Sequence, residues 1–207
     1  MGLNPPINSG LKFSEGENRE AVMYQAAHYE LVASAGAVQL CHQIDPDAKI
    51  GCMIAMVPIY PYSCEPQDML AATVAMQRRY WFTDVHCKGQ YPGYLKAYLT
   101  RKGYHLDMTD EDLVILREGT VDYIGFSYYM SFAVKGAGKA PAYDYDEAKD
   151  LVRNPYVPAS DWGWQIDPEG LRYAMNWFAE RYELPLFIVE NGFGAIDEVG
   201  PDGTIDA

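Results

Sequence analysis

Three short, mainly apolar runs stand out along the chain. They cover residues 50–56, 121–128 and 186–189. A continuous apolar run of this length is typical of a strand that is covered on both faces, as in the parallel sheets of α/β proteins. We therefore predict three strands and expect the first two to be buried.

The segment before the first run has the apolar periodicity of a long helix. Ser14 and Glu17 have the spacing of a capping box, which predicts that this helix begins there. It is expected to end at Asp45, because the residue before Pro46 is pushed out of the helical conformation. Its predicted inner stripe consists of residues that recur at helical spacing, namely Val22, Ala26, Tyr29, Ala33, Ala37, Leu40 and Ile44.

Further helices are predicted after the first run and between the second and third. One begins at Pro66 and carries apolar residues on two stripes, so it is expected to be mostly covered. The next ends at Gly103, and Thr109 is placed to cap the one after it. The last begins at the Asp167-Pro168 pair and leads into the third strand.

Strands that alternate with helices predict a parallel sheet with right-handed crossovers. The ends of the three strands, near Val57, Tyr128 and Glu190, should then open on one side. Since a (β/α)8 barrel needs eight strands, three can supply only part of one. We predict an α/β fold that is a partial TIM (β/α)8 barrel with about three parallel strands, forming one domain over residues 1–207, with residues 136–161 as a long loop.

The net charge of the chain argues against two classes of binding partner, nucleic acids and anionic membranes. With a net charge of −13 and no basic run, the chain lacks the clustered Lys and Arg that nucleic acids or anionic membranes require. No stretch approaches the apolar length of a membrane span, and the opening residues do not resemble a signal peptide. The expected location is the cytoplasm.

The cysteines and histidines do not have the spacing of a metal site. The four cysteines lack a C-x-x-C pair, and no histidine stands at zinc-ligand spacing from them. We expect reduced, buried thiols at these four positions, namely Cys41, Cys52, Cys64 and Cys87.

Glu190 is the strongest candidate for chemistry. It comes directly after the third apolar run and precedes Asn191-Gly192, which must turn the chain. Ligands of α/β proteins bind at the carboxyl ends of the strands, so an acid at this position is a candidate catalyst. The alternative is an ordinary surface acid that leaves the sheet.

Five segments, in order, resemble glycoside hydrolase family 1, the retaining β-glycosidases, and within it the 6-phospho-β-glucosidases. They are residues 24–28 (Tyr-Gln-Ala-Ala-His), residues 82–92, which include Phe-Thr-Asp-Val and Gly-Gln-Tyr-Pro, residues 122–129 (Asp-Tyr-Ile-Gly-Phe-Ser-Tyr-Tyr), residues 163–171 (Gly-Trp-Gln-Ile-Asp-Pro-Glu-Gly-Leu) and residues 187–194 (Phe-Ile-Val-Glu-Asn-Gly-Phe-Gly). A lone Glu-Asn-Gly would be weak evidence, but five segments in the family's order are specific.

The resemblance implies roles for particular residues. Glu190 would be the nucleophile, and Tyr128 would resemble the family tyrosine that hydrogen-bonds this carboxylate. The alternative for Tyr128 is a core tyrosine with a satisfied hydroxyl. Asn191 would either fix the turn or surround the nucleophile, and Tyr60, with Tyr62, would line the aglycone side. The resemblance implies no metal or nucleotide cofactor.

The second carboxyl group of a retaining glycosidase does not match any segment of this chain. In the family it belongs to a Thr-Phe-Asn-Glu-type segment ahead of the region where Met1 stands, and the Asn4-Pro5-Pro6 stretch resembles the residues just after that motif. Ser127 and Val189 are modest signals for a phosphorylated substrate, since plain β-glucosidases commonly carry Asn and Thr there.

Three functions are expected from these residues and this resemblance. The first is a 6-phospho-β-glucosidase that hydrolyses phosphorylated β-glucosides by double displacement in the complete enzyme, with this chain supplying the nucleophile and lacking the acid/base. The second is a non-catalytic truncated or split-barrel piece that acts by self-association or with a complementing N-terminal half. The third is part of a plain β-glucosidase.

Overall fold

The computed structural model describes residues 10–136 and 147–206. The helices in these ranges are α1 (Arg19–Ile44), α2 (Pro66–Lys88), α3 (Gly93–Lys102), α4 (Asp110–Glu118), α5 (Glu147–Asp150) and α6 (Pro168–Tyr182). The strands are β1 (Gly51–Met56), β2 (Ile59–Pro61), β3 (Tyr123–Tyr128), β4 (Phe132–Val134), β5 (Leu151–Val152), β6 (Leu186–Asn191), β7 (Glu198–Val199) and β8 (Ile205–Asp206).

The three predicted strands form one sheet in the order β1-β3-β6. At its beginning, the backbone N–H of Asp122 donates to the carbonyl of Ile50 at 2.7 Å, and that of Ile124 donates to Pro185 at 2.9 Å. The central position of β3 is consistent with these bonds on both of its sides. The predicted α/β fold is confirmed as a partial TIM barrel.

Two smaller sheets lie in segments that the sequence did not assign to strands. β2 pairs with β4 in parallel and β4 with β5 in antiparallel register, while β7 and β8 form a hairpin. The Pro201-Asp202-Gly203 turn between β7 and β8 is a hairpin signal that could have been used. The predicted loop 136–161 is interrupted by α5 and β5. Residues 137–146 of that loop, and the Asn4-Pro5-Pro6 stretch, lie outside the described residues.

The chain forms two compact units. Unit 1 consists of Met1–Ile54, Gln77–Gly125 and Tyr182–Phe187, and unit 2 of Ala55–Met76, Phe126–Arg181 and Ile188–Ala207, in both cases as far as they are described. The prediction of a single domain stays a prediction.

The core of unit 1 corrects the predicted inner face of α1. Tyr24, Ala27, Leu31 and Ala35 pack with apolar residues of α2, α3 and α4. Tyr29, Leu40 and Ile44, which the predicted stripe contained, are instead exposed by 53%, 56% and 76%. The prediction was wrong because α1 is apolar on several sides, so periodicity alone does not select one of them.

The start of α1 also differs from its prediction. Asn18 is the N-cap, and its side chain accepts from the backbone N–H of Ala21. Ser14 and Glu17 form a separate turn, in which the Glu17 carboxylate accepts from the Ser14 N–H at 2.8 Å. The capping-box spacing therefore marks the turn that precedes the helix.

The acidic first turn of α4 is structural. The Thr109 hydroxyl accepts from the backbone N–H of Asp112, and the Asp112 carboxylate accepts from the N–H of Thr109, which completes a capping box. Asp112 also lies 3.4 Å from Nε2 of the buried His28, whose Nδ1 is 2.8 Å from the Tyr91 hydroxyl. His28 is thus both a core residue and a polar partner in unit 1.

The carboxylate of Asp122 makes the stability of unit 1 depend on pH. Its carboxylate accepts from the Ile50 N–H at 2.8 Å and lies 2.9 Å from His42 Nε2 and 3.7 Å from Lys49 Nζ. The Ile50 N–H, followed by these two side chains, lowers the pKa of Asp122 despite its partial burial. Because the folded pKa is lowered, this stabilisation is complete above the unfolded value of about 3.9 and is lost as the pH falls through the folded value.

We expect Asp122→Asn to lower the thermal unfolding midpoint by roughly 2–4 °C at pH 6, since the amide cannot replace the charge. The difference from the unmodified protein should shrink as the pH falls below about 4. Thermal unfolding followed by circular dichroism between about pH 3 and pH 7 measures it. Asp47→Asn, in an exposed turn, is the matched control. Two curves that stay parallel over this range would contradict the prediction.

Candidate functional site

Unit 2 brings Glu190 and Asn191 beside the two consecutive tyrosines at the end of β3, Tyr128 within the strand and Tyr129 directly after it. Both residues lie within β6 as its last two positions, so the strand runs one residue beyond Glu190, where the sequence predicted it to end. The side-chain amide of Asn191 donates to the backbone carbonyl of Tyr128 at 2.6 Å. Asn191 therefore joins the ends of β6 and β3 and holds Glu190 next to them.

The partner of Glu190 is Tyr129 and not Tyr128. The hydroxyl of Tyr129 donates to Glu190 Oε2 at 3.0 Å, and this hydrogen bond is the main reason why the pKa of Tyr129 is raised. The prediction for Tyr128 was wrong by one residue. Successive side chains of an extended chain point to opposite faces, so a shift of one position exchanges a core residue for a site residue.

Tyr128 faces the interior of unit 2. Its side chain is 4% exposed, and its hydroxyl donates to the backbone carbonyl of Asp167 at 2.6 Å. Burial raises the pKa of Tyr128, so the hydroxyl remains a donor. Tyr128 is thus a core tyrosine with a satisfied hydroxyl, which was the alternative for it, and the bond to Glu190 comes from Tyr129.

Asp167 is the centre of a buried polar cluster that the sequence did not assign to the site. Its carboxylate accepts from the hydroxyls of Tyr60 at 2.9 Å and Ser131 at 2.6 Å, and from the N–H of Gly170 at 2.9 Å. Burial, and next the bond to Asp167, raises the pKa of Tyr60. The hydroxyl of Tyr60, a predicted aglycone contact, is therefore engaged inside unit 2. The signals in the sequence were the helix start at Asp167-Pro168 and the family-like segment 163–171, which contains Asp167.

Three aromatic rings, those of Tyr129, Trp164 and Trp162, are in contact one after another. The ring of Tyr129 lies 5.5 Å from that of Trp164, which makes an edge contact with Trp162 at 5.4 Å. Trp162 is 60% exposed, and its backbone N–H donates to the carbonyl of Gly194 at 3.1 Å. An exposed indole can stack on the apolar face of a sugar ring.

This arrangement suits nucleophilic catalysis by a carboxylate. Glu190 is exposed at the end of a strand, and a phenol fixes one of its oxygens while the other can attack.

In the described ranges, no group of three or more His, Cys, Asp or Glu side chains is placed to hold a metal ion. Among the four free cysteines only Cys52 is buried, and Cys64 is exposed, which corrects the expectation of four buried thiols.

A cavity of about 580 Å³ lies elsewhere, within unit 1. It opens near the beginnings of β3 and β6, whereas Glu190 stands at the end of β6. None of the predicted site residues lines it. Its lining residues are Lys49, Asp122, Tyr123, Pro185, Leu186 and Phe187.

No helix within the described residues is both long enough and apolar enough to cross a membrane.

The fold and the site together define a class of protein, namely a partial (β/α) barrel with a carboxylate at the end of a strand. The comparison with protein families identifies the family within this class. The profile described as Glycosyl hydrolase family 1 matches residues 9–207. The chain belongs to this family, as the resemblance of its five segments implied.

The relatives narrow the family further. The chain is 49% identical to a protein named aryl-phospho-β-D-glucosidase BglA of Bacillus subtilis, over 99% of this chain and 44% of that protein. It is 43% identical to one named 6-phospho-β-glucosidase AscB of Escherichia coli, over 98% and 43% respectively. A solved structure, the family 1 β-glucosidase from Thermotoga maritima, is similar with a TM-score of 0.74 and 27% identity, over 93% of this chain and 42% of that one. The chain thus spans less than half the length of these relatives.

Proposed function

We propose that this chain supplies the nucleophile of a retaining phospho-β-glucosidase, and that Glu190 is that nucleophile. The observation that carries the proposal is the bond from Tyr129 to an exposed carboxylate at the end of β6. The names of the relatives, which are phospho-β-glucosidases, support the reaction class and the substrate. Asn191 and Tyr129 then act as positioning residues.

The proposed reaction is a double displacement. The Glu190 carboxylate attacks the anomeric carbon of the sugar, and the bond from that carbon to the leaving oxygen breaks. A second carboxyl group, which the family resemblance places outside this chain, gives its proton to the leaving oxygen. It then takes a proton from water, which attacks the glycosyl-enzyme and releases Glu190.

The proposal that the substrate is phosphorylated rests on the names of the relatives and on the modest signals from Ser127 and Val189. Ser127 is 3% exposed, so its side chain is too buried to touch a sugar. Hydrolysis of a 6-phospho-β-glucoside compared with the unphosphorylated glucoside separates the proposal from a plain β-glucosidase. The phosphorylated substrate should be turned over with the higher kcat/KM.

A mechanism-based 2-fluoro-6-phosphoglucoside tests the nucleophile directly. The chain is joined to the remaining length of the Bacillus subtilis relative, treated with this reagent, digested and analysed by mass spectrometry. The peptide that contains Glu190 should carry the sugar, and the matched Glu190→Gln variant should carry none. A label on any other carboxylate would overturn the assignment.

A second candidate function is a non-catalytic piece that associates with a complementing half. The observation that favours it is the exposure of the apolar side chains of β6, where Phe187, Ile188 and Val189 are exposed by 58%, 38% and 42%. Exposed apolar strands promote association. Sedimentation of this chain, alone and mixed with the amino-terminal part of the Bacillus subtilis relative, tests the idea. A monomer in both samples would contradict it, and so would turnover by the isolated chain.

A further inference from the structure

A short connection, residues 129–131, joins β3 to β4 in unit 2. Its first residue is Tyr129, whose hydroxyl donates to Glu190 at 3.0 Å. Its last residue is Ser131, which is 0% exposed. The hydrogen bond to Glu190 therefore comes from a connecting segment, and such a segment keeps one conformation only where other contacts fix it.

The chain just before α6 lies along this connection and contacts both of its ends. At the first end, the ring of Trp164 lies 5.5 Å from that of Tyr129. At the last end, the side-chain amide of Gln165 donates to the backbone carbonyl of Ser131. The carboxylate of Asp167 accepts from the hydroxyl of Ser131 at 2.6 Å. Ser131 is thus held at its backbone and at its side chain by one neighbouring segment.

Both partners of Ser131 are fixed in turn. The side chain of Gln165 is buried, and its Oε1 accepts from the backbone N–H of Asn154, so its amide has only one orientation that makes both bonds. Asp167 is 8% exposed, and its carboxylate also accepts from the hydroxyl of Tyr60 on β2 at 2.9 Å. A buried polar network whose bonds are made is rigid. Ser131 therefore ties the connection to a rigid part of unit 2.

We propose that Ser131 is a positioning residue of the site around Glu190, and that it fixes the connection between β3 and β4 so that the Tyr129 hydroxyl stays hydrogen-bonded to the carboxylate. The inference rests on the proposed function, in which Glu190 is the nucleophile. Ser131 acts through Tyr129, which is the residue that makes the bond to the carboxylate. Without the serine hydroxyl, the phenol should leave Glu190 for part of the time, and fewer carboxylates are then oriented for attack.

The test measures this bond in the chain itself, with 3-fluorotyrosine at position 129. Donation to Glu190 raises the pKa of Tyr129, and ¹⁹F NMR follows the titration of this one phenol. Ser131→Ala should lower that pKa by about half or more of the fall seen in Glu190→Gln, where the negative charge is lost. Ser63→Ala is the matched control, because it removes a similar 2.7 Å bond from a serine to another buried carboxylate, that of Asp68. It should leave the pKa unchanged.

Turnover by the chain completed with its relative gives a second readout. Ser131→Ala should lower kcat by roughly 3- to 10-fold and change KM by less than about twofold. In a Tyr129→Phe background the same change should lower kcat by less than about twofold, because the hydroxyl that Ser131 positions is already absent. A serine that only stabilised the fold would not show this dependence on Tyr129.

A further variant reaches the same anchor from its other side. Asp167→Asn leaves one acceptor oxygen where the carboxylate has two, so it should lower the pKa of the phenol in the same direction. Circular dichroism shows whether each variant is folded. The proposal is overturned if the folded variants keep the pKa of the parent, if Ser63→Ala lowers it as much, or if the losses of kcat multiply. The titration needs no turnover, and the labelling of Glu190 needs no titration, so this inference and the proposed function can fail separately.

Discussion

Glu190→Gln is expected to lower kcat on a chromogenic 6-phospho-β-glucoside by roughly 10³- to 10⁶-fold in the chain completed with its relative. Glutamine has nearly the shape of glutamate and can still accept the hydrogen bond from Tyr129, which is 3.0 Å long in this structure. It lacks the negative charge that must attack the anomeric carbon. The change therefore removes the chemical step and leaves the packing of β6 unaltered.

Three control variants make this result specific to the site. Glu169→Gln removes the same charge from an exposed position in the first turn of α6 and should change kcat by less than about twofold. Tyr129→Phe should lower kcat by about 10- to 100-fold, because one carboxylate oxygen loses its donor. Tyr128→Phe should act mainly on stability, since its hydroxyl serves the Asp167 carbonyl. A larger loss of kcat in Tyr128→Phe than in Tyr129→Phe would contradict the geometry.

The sheet and the ends of several helices could be predicted because their signals are local. The apolar runs of β1, β3 and β6 have strand length, and each lies within two residues of the strand's bounds. Gly103 ends α3 in the left-handed conformation with a φ of 69°. That conformation costs little for glycine and more for other residues, so the sequence carries the information directly.

The site was harder to predict because its contacts depend on partners that are distant in sequence. Tyr128 and Tyr129 are adjacent and chemically identical, and only the orientation at the end of β3 decides which of them reaches Glu190. Asp167 collects hydrogen bonds from Tyr60 and Ser131, to which no local pattern connects it. A family resemblance identifies such a segment, but the hydrogen bonds themselves require coordinates.

Gly119→Ala is expected to destabilise unit 1 by about 2–4 kcal/mol, because the added methyl group has no space. Gly119 is buried and ends α4, with its N–H bonded to the Ile115 carbonyl at 2.9 Å. A Cβ at this position would overlap the backbone carbonyl group of Ala35 in α1, with the Ala35 carbonyl carbon at 2.6 Å and Cα at 2.7 Å. These atoms belong to the main chain of a helix, so no rotamer change relieves the overlap, and α1 and α4 must separate.

The measurement is the thermal unfolding midpoint, which should fall by roughly 6–12 °C for a chain of this size. Gly36→Ala is the matched control, because Gly36 neighbours Ala35 in α1 and a Cβ there meets nothing within 4 Å. It should raise stability by about 1 kcal/mol, since alanine is the better helix former. The same chemical change is thus expected to have opposite effects at two positions beside Ala35, one at the end of α4 and one within α1. An unchanged midpoint in Gly119→Ala would show that α1 and α4 do not approach as closely as their backbones do here.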